Sequence, residues 1–277
     1  MVIFFVAMNF SIARFPKLVV LGQRNNIAAE WFEGQTWEPY DFQLKIWKAI
    51  AAGNSGLLNA PTGFGKTYAI WFGVLQNYFA KKKKHHGLHC LWITPLRALS
   101  KEIHMATERV SQELQLDYTI GLRTGDTDTK ERAKQKKAMP HALITTPESV
   151  HLLMAQKGYN ETFKNLDFIV IDEWHELMGS KRGVLVELAL SRLKAINPDL
   201  KIWGISATIG NLEEAKDVLL GTYGDKQTLI RTNLEKKTEI ETIIPEVVEK
   251  YPWGGHLGIK LIDQVLPIIH NNTSTLL

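Results

Sequence analysis

Six short apolar runs recur along the chain, each closed by turn residues and followed by a longer stretch with helical spacing. They are Gly56–Asn59, Cys90–Thr94, Tyr118–Leu122, Ala142–Thr145, Phe168–Asp172 and Lys201–Ser206. Several are continuous rather than alternating. A strand that is apolar on both sides is buried on both sides, which is the condition of a parallel sheet covered by helices. Strands alternating with helices in this way specify an α/β doubly wound fold, mostly parallel, with helices on both faces. Such a sheet gathers its ligand loops beyond the carboxyl ends of its strands. The polar motifs of this sequence lie at those ends.

The first of them is Ala60-Pro61-Thr62-Gly63-Phe64-Gly65-Lys66-Thr67, between the strand ending at Asn59 and a helix running from Lys66 toward Phe79. It reads as a phosphate-binding loop with Ala in place of the first Gly. Gly63 and Gly65 let the backbone turn so that successive N–H groups face phosphate oxygens. The helix N-terminus behind them adds its partial positive charge. Lys66 reaches the β- and γ-phosphates of ATP, and Thr67 offers a hydroxyl to Mg²⁺.

The second is Asp172-Glu173-Trp174-His175, which follows the apolar strand Phe168–Ile171. A strand ending in two carboxylates is the complement of a phosphate loop. Asp172 is the expected Mg²⁺ ligand, through water, and Glu173 the base for an attacking water. His175 can link this site to a neighbouring element. Ser206-Ala207-Thr208 closes the next strand, and its hydroxyls can bond the acidic motif or His175, or cap the helix that opens near Asn211.

Composition sets only broad bounds. The chain has 277 residues, 45% hydrophobic and 22% charged, with a net charge of +4. That permits a polyanionic partner without requiring one. A single cysteine, Cys90, excludes an internal disulfide and suits the cytoplasm. No apolar run approaches the ~20 residues that span a bilayer. The apolar start Met1–Met8 lacks the flanks of a signal peptide.

Taken in order, these motifs resemble superfamily 2 DEXH-box helicases. The others in the series are Thr94-Pro95-Leu96-Arg97-Ala98-Leu99, Arg123-Thr124-Gly125-Asp126-Thr127 and Thr145-Thr146-Pro147-Glu148-Ser149. The sequence is most similar to the large helicase-related (Lhr) group. Asp172–Leu177 followed by Gly179-Ser180-Lys181-Arg182-Gly183 resembles the bacterial DNA-ligase-associated DEXH helicases. The resemblance implies a first RecA-like motor domain over residues 31–235, an N-terminal extension over 1–30 and a connecting segment over 236–277. It implies an adenine-recognising element at Trp37 and Gln43, with the Gln43 amide reading the base and Trp37 or Tyr40 packing on it; the alternative is an ordinary helix start after Pro39. It assigns Thr94, Pro95, Arg97, Arg123, Thr124, Gly125, Thr146, Pro147 and Glu148 to single-stranded nucleic acid. Taken singly, each of those loops is an ordinary strand-to-helix turn. Ser206 and Thr208 take a coupling role.

The expected activity is that of an ATP-dependent DNA helicase or translocase domain acting on single-stranded or partly duplex DNA in repair, with a DNA ligase or nuclease as partner. The alternatives are a binding module without turnover, an RNA helicase domain, or another phosphate-loop translocase. About 70 residues follow Thr208, too few for a second RecA-like domain, so the expectation is half a motor. The basic stretch Lys130–Lys137 reads as a solvated face before it reads as a DNA-steering one. Lys81–Lys84 reads as a solvated loop. His85, His86, His89 and Cys90 match no standard zinc spacing. The eight Trp are expected mainly in the core or at an interface. Gly258–Ile269 reads as a helix after an edge hairpin.

Overall fold

Strands buried on both sides need helices above and below, and the computed structural model of the chain supplies them. The structure describes residues 27–81, 87–207, 209–221, 226–232, 234 and 262–271. The N-terminal extension up to residue 26, Lys82–His86, Thr208 and the expected edge hairpin lie outside them. The chain divides into two units, Val19–Asn233, and Met1–Leu18 with Leu234–Leu277. In chain order the larger unit contains α1 (Ile27–Gly34), α2 (Asp41–Ala51), β1 (Ser55–Asn59), α3 (Lys66–Ala80), β2 (Cys90–Ile93), α4 (Arg97–Glu113), β3 (Ile120–Arg123), α5 (Thr129–Lys137), β4 (Ala142–Thr145) and α6 (Pro147–Met154). It continues with α7 (Tyr159–Phe163), β5 (Phe168–Ile171), α8 (Trp174–Leu177), α9 (Lys181–Ile196), β6 (Lys201–Ser206), α10 (Leu212–Leu220) and β7 (Gln227–Arg231). In the other unit, α11 (Ile262–Asn271) overlaps the helix expected at Gly258–Ile269.

The seven strands form one sheet in the order β3-β4-β2-β5-β6-β1-β7. Every pairing is parallel. All the loops that follow the strands therefore open at one edge. Period-two alternation sends successive side chains to opposite layers. Leu57, Leu91, Ile93, Leu143, Ile169 and Ile171 join Val150, Leu153, Val186, Leu190 and Leu193 in one core layer. Trp92 stands outside that group and meets Trp71 of α3 edge to face, ring centres 6.3 Å apart. Trp31, Trp71, Trp92, Trp174 and Trp203 are fully buried, whereas Trp37 is exposed.

Local chemistry sets the helix starts. Asp128, Ser180 and Asn211 each accept a backbone N–H in the first turn of α5, α9 and α10, satisfying donors that a helix leaves open. Pro147 stands in the first turn of α6, where its missing N–H costs nothing. The strand β3 begins at Ile120 rather than Tyr118, because the Tyr118 N–H is spent on the Leu116 carbonyl at 2.9 Å and the Thr119 N–H on His141 Nδ1 at 3.0 Å. The edge strand β7 escapes a reading for apolar runs, since only its Ile230 is buried.

Gly56 sets how closely β7 and β6 flank β1. A Cβ there would stand 2.7 Å from the Thr228 carbonyl oxygen and 2.9 Å from the Trp203 ring. Neither neighbour is a flexible chain end. Gly56→Ala is expected to lower the unfolding free energy by about 1–3 kcal/mol, read from urea titration. An unchanged midpoint would show that the edge strand yields freely.

Candidate functional site

The phosphate loop joins β1 to α3. Gly63 has φ 88° and Gly65 φ 74°, a left-handed backbone that glycine adopts without strain. Gly65 is the N-cap of α3, so the loop delivers its amides at a helix N-terminus. Pro61, Phe64, Gly65 and Thr67 are half-buried, and Thr62 and Gly63 are exposed. Lys66 is 8% exposed, its Nζ 4.0 Å from Glu173 Oε1. The loop is braced from β6: Ala60 N–H donates to the Ser206 carbonyl at 3.1 Å, and the Asn59 side-chain amide donates to the Ala207 carbonyl.

Gln43 braces the same loop from α2. Its Oε1 accepts the Tyr40 N–H at 2.8 Å and its Nε2 donates to the Gly65 carbonyl at 3.1 Å. The side chain is 2% exposed. One N–H and one lone pair of the amide remain beyond these bonds. Tyr40 packs edge to face on Phe64 of the loop, with ring centres 5.6 Å apart. Trp37 packs on Trp31 at 5.7 Å and leaves half its surface open. An apolar rim thus stands beside the loop.

The acidic motif leaves the neighbouring half of the edge. Asp172 is 4% exposed; its Oδ1 accepts the Glu173 N–H at 2.9 Å and its Oδ2 the Trp92 indole N–H at 3.4 Å. Burial, with the Glu173 charge beside it, pushes its carboxyl up to about 6, against the pull of those bonds and of Lys66. Glu173 has φ 46°, a left-handed conformation that costs a non-glycine residue about 1 kcal/mol or more and that clusters at functional sites. His175 Nδ1 lies 3.4 Å from Glu173 Oε2 and 3.1 Å from Ser206 Oγ. The contacts therefore run from Lys66 to Glu173, His175 and Ser206, across β1, β5 and β6. Ser206 takes the bond to His175, while Asn211 itself caps α10.

The pair Asp172 and Glu173 fits a divalent cation. Two carboxylates crowd one another with a single ammonium nearby, and the buried one holds its charge poorly without further positive charge. Thr67 carries a half-buried hydroxyl on the phosphate loop.

Three further loops open along the other half of the edge, after β2, β3 and β4. Thr94 is fully buried and spends its hydroxyl on Ser100 Oγ at 2.6 Å and the Leu96 carbonyl at 3.0 Å. Arg97 is exposed and pairs with Asp126 at 2.6 Å. Its guanidinium covers Gly125, where a Cβ would meet Nη2 at 2.8 Å. Arg123 is 6% exposed, and its Nη1 is a buried donor with no hydrogen-bond partner. Burial, then the nearby Arg132, lowers its proton affinity. Thr124 and Thr146 are buried, Thr124 N–H donating to Thr127 Oγ1 at 2.9 Å. Pro147 and Glu148 open α6.

Two arginines outside the expected set organise these loops. Arg132, inside the basic stretch, donates to the carbonyls of Thr127 at 2.8 Å and of Thr124 and Gly125 at 3.1 Å each. Arg182 donates to both carboxylate oxygens of Glu148, at 2.6 and 3.0 Å, and to the Pro95 carbonyl. Burial raises the Glu148 carboxyl, but hydrogen bonds from Arg182, its own backbone and Thr146, with the Arg182 charge, together hold the group below the usual range. No short-range pattern marks either arginine, since their acceptors are backbone carbonyls and a residue 34 positions away. His89, by contrast, bonds Tyr118 and stands 3.3 Å from Asp167.

A left-handed glycine loop holding a buried lysine toward two carboxylates at a parallel strand end has the architecture of a phosphate-binding loop facing an acidic strand end. Known proteins narrow the class. A family model described as DEAD/DEAH box helicase matches residues 40–218. The ATP-dependent helicase Lhr-Core of Methanothermobacter thermautotrophicus is 28% identical over 267 residues, covering 90% of this chain and 31% of the relative. The Lhr helicase/uracil glycosylase of Escherichia coli is 32% identical over 237 residues, covering 78% and 15%. The Mycobacterium smegmatis helicase Lhr bound to ssDNA and AMP-PNP superposes with a TM-score of 0.67 at 25% identity, covering 90% of this chain and 33% of that one. The helicase MrfA bound to DNA gives a TM-score of 0.65 at 26% identity, covering 76% and 30%. The chain spans about a third or less of the length of these proteins. This chain belongs to the DEAD/DEAH box helicase family, with Lhr helicases among its relatives. Among the described residues no helix is long and apolar enough to cross a membrane.

Asp172 gives a stability test of the site. Its folded value, about 6, exceeds its unfolded one near 3.8. Between those values the folded protein keeps a proton that the unfolded chain releases, so this group's contribution to stability falls as pH rises through that window. Without nucleotide, Asp172→Asn is expected to raise the unfolding free energy at pH 8 by roughly 1–3 kcal/mol. The gain should shrink as pH falls from 6 toward 4. A gain that does not vary with pH would contradict the assignment.

Proposed function

We propose that this chain is the nucleotide-binding motor domain of an ATP-dependent DNA helicase or translocase. It binds Mg-ATP on the loops after β1, β5 and β6 and a single DNA strand on the loops after β2, β3 and β4. The observation that carries the reading is the contact series Lys66–Glu173–His175–Ser206, which joins the phosphate loop, the acidic motif and the next strand end.

The residues divide the work as follows. The amides of Gly63–Thr67 hold the phosphates, and Lys66 draws charge from the β- and γ-phosphates. Tyr40, Phe64 and Trp37 offer an apolar face to the adenine, and Gln43 holds the loop closed behind it. Glu173 takes a proton from water as the water oxygen attacks the γ-phosphorus and the bond to the ADP oxygen breaks. His175 and Ser206 fix the Glu173 carboxylate and connect it to β6. Thr67 and Asp172 would hold Mg²⁺, which supplies charge neutralisation at the phosphates when bound.

On the other half, threonine hydroxyls, loop amides and Arg123 engage the strand backbone, which gives sequence-tolerant grip. The unpartnered guanidinium N–H of Arg123 supports an anionic ligand there. DNA is favoured because the Lhr and MrfA structures that the chain resembles are named for ssDNA and DNA. A role in repair beside a DNA ligase or nuclease, in the cytoplasm, extends the proposal on the resemblance of residues 172–183.

A fluorescent ATP analogue with Mg²⁺, titrated into the chain, tests the first half. Lys66→Ala should weaken binding roughly 10–100-fold, the equivalent of about 1.5–3 kcal/mol for a lost charge-assisted contact. Equal affinity in the variant and the parent would overturn the nucleotide assignment.

A further inference from the structure

We propose that Arg182 is a positioning residue that locks the loops after β2 and β4 into one register for consecutive phosphates of a nucleic-acid strand. The inference rests on the strand-binding reading above and adds the device that shapes that site.

Glu148 poses the problem. It opens α6 in a loop assigned to a polyanion, where a free carboxylate would repel phosphate. Arg182 takes both its oxygens in a fork and uses Nη1 on the Pro95 carbonyl. The pair carries no net charge, and the guanidinium has bonded each of its nitrogens within the protein. Its task is therefore geometric. It ties the turn before α4 to the first turn of α6, and both to the start of α9.

That start is itself rigid. Ser180 Oγ donates to the Leu177 carbonyl at 2.6 Å and accepts the Gly183 N–H at 3.1 Å. A Cβ on Gly183 would lie 2.2 Å from the Leu177 carbonyl oxygen, so the α8–α9 corner closes only around glycine. The same corner begins at Glu173 and His175, which face the nucleotide half. Arg182 thus stands at the far end of a short stiff element whose near end carries the hydrolytic base.

Fork geometry separates this role from simple attraction of a strand, because lysine keeps the charge but cannot make the planar bidentate contact. The test is fluorescence anisotropy of a labelled oligothymidylate titrated with the chain and its variants, with Mg²⁺ and a non-hydrolysable ATP analogue present. Arg182→Ala and Arg182→Lys should each bind about five- to tenfold more weakly than the parent, with affinity for the fluorescent ATP analogue held within about twofold. Glu148→Gln is decisive and keeps the side-chain shape if an Arg182 variant does not fold. Removing a negative charge beside a polyanion predicts tighter binding on electrostatics alone, whereas loss of the fork predicts weaker binding. Parent-like binding by Arg182→Lys, or tighter binding by Glu148→Gln, would overturn the inference while leaving strand binding intact. A parent chain that binds no oligothymidylate would instead overturn the strand-binding reading, and this inference with it.

Discussion

One constraint organises the molecule: all seven strands run the same way. A parallel sheet must be covered on both faces, which uses its helices, and it must turn all its strand-to-helix loops out at one edge. The strand order then sorts those loops. β5, β6 and β1 are neighbours, and so are β3, β4 and β2. The phosphate loop, the acidic motif and Ser206 meet on one half, and the three strand loops meet on the other. Neither grouping follows chain order, since β1 is first in sequence and sixth across the sheet.

The two halves carry opposite electrostatic deficits. On one, Asp172 and Glu173 crowd together, and burial, with the Glu173 charge beside it, pushes the Asp172 carboxyl up to about 6. On the other, Arg123 is buried with an unpartnered donor and a second arginine nearby. A fold driven only by stability would not keep both, because a buried charge without a partner is costly. The proposed ligands, a metal-bound nucleotide on one half and a phosphate backbone on the other, would supply what each lacks. The left-handed backbone of Glu173 belongs to the same pattern of local cost at a working site.

Much of this was legible in the residues. β1, β2, β4, β5 and β6 announce themselves as runs apolar on both faces, and Gly63, Gly65, Lys66, Asp172 and Glu173 by their place after such runs. What was not legible depends on contacts that strand and helix periods do not encode. β7 has one buried residue, because an edge strand over α10 needs little more. Gln43 reads as a base-recognising amide, yet its position between Tyr40 and Gly65 also makes it a loop brace. Arg132 looks like one charge in a solvated helix until its three carbonyl acceptors are seen. Arg182 and Glu148 lie far apart in sequence and meet only because α9 packs beside α6.

The central claim is that one sheet edge holds two separate sites, divided by strand order. Amide hydrogen exchange followed by mass spectrometry tests it directly, with the chain alone, with an Mg-bound non-hydrolysable ATP analogue, and with a single-stranded oligonucleotide. The nucleotide should slow exchange at 60–67, 172–175 and 206–207, and the oligonucleotide at 94–97, 123–127 and 145–149. Protection of one common set of residues by both ligands, or of neither set, would contradict it.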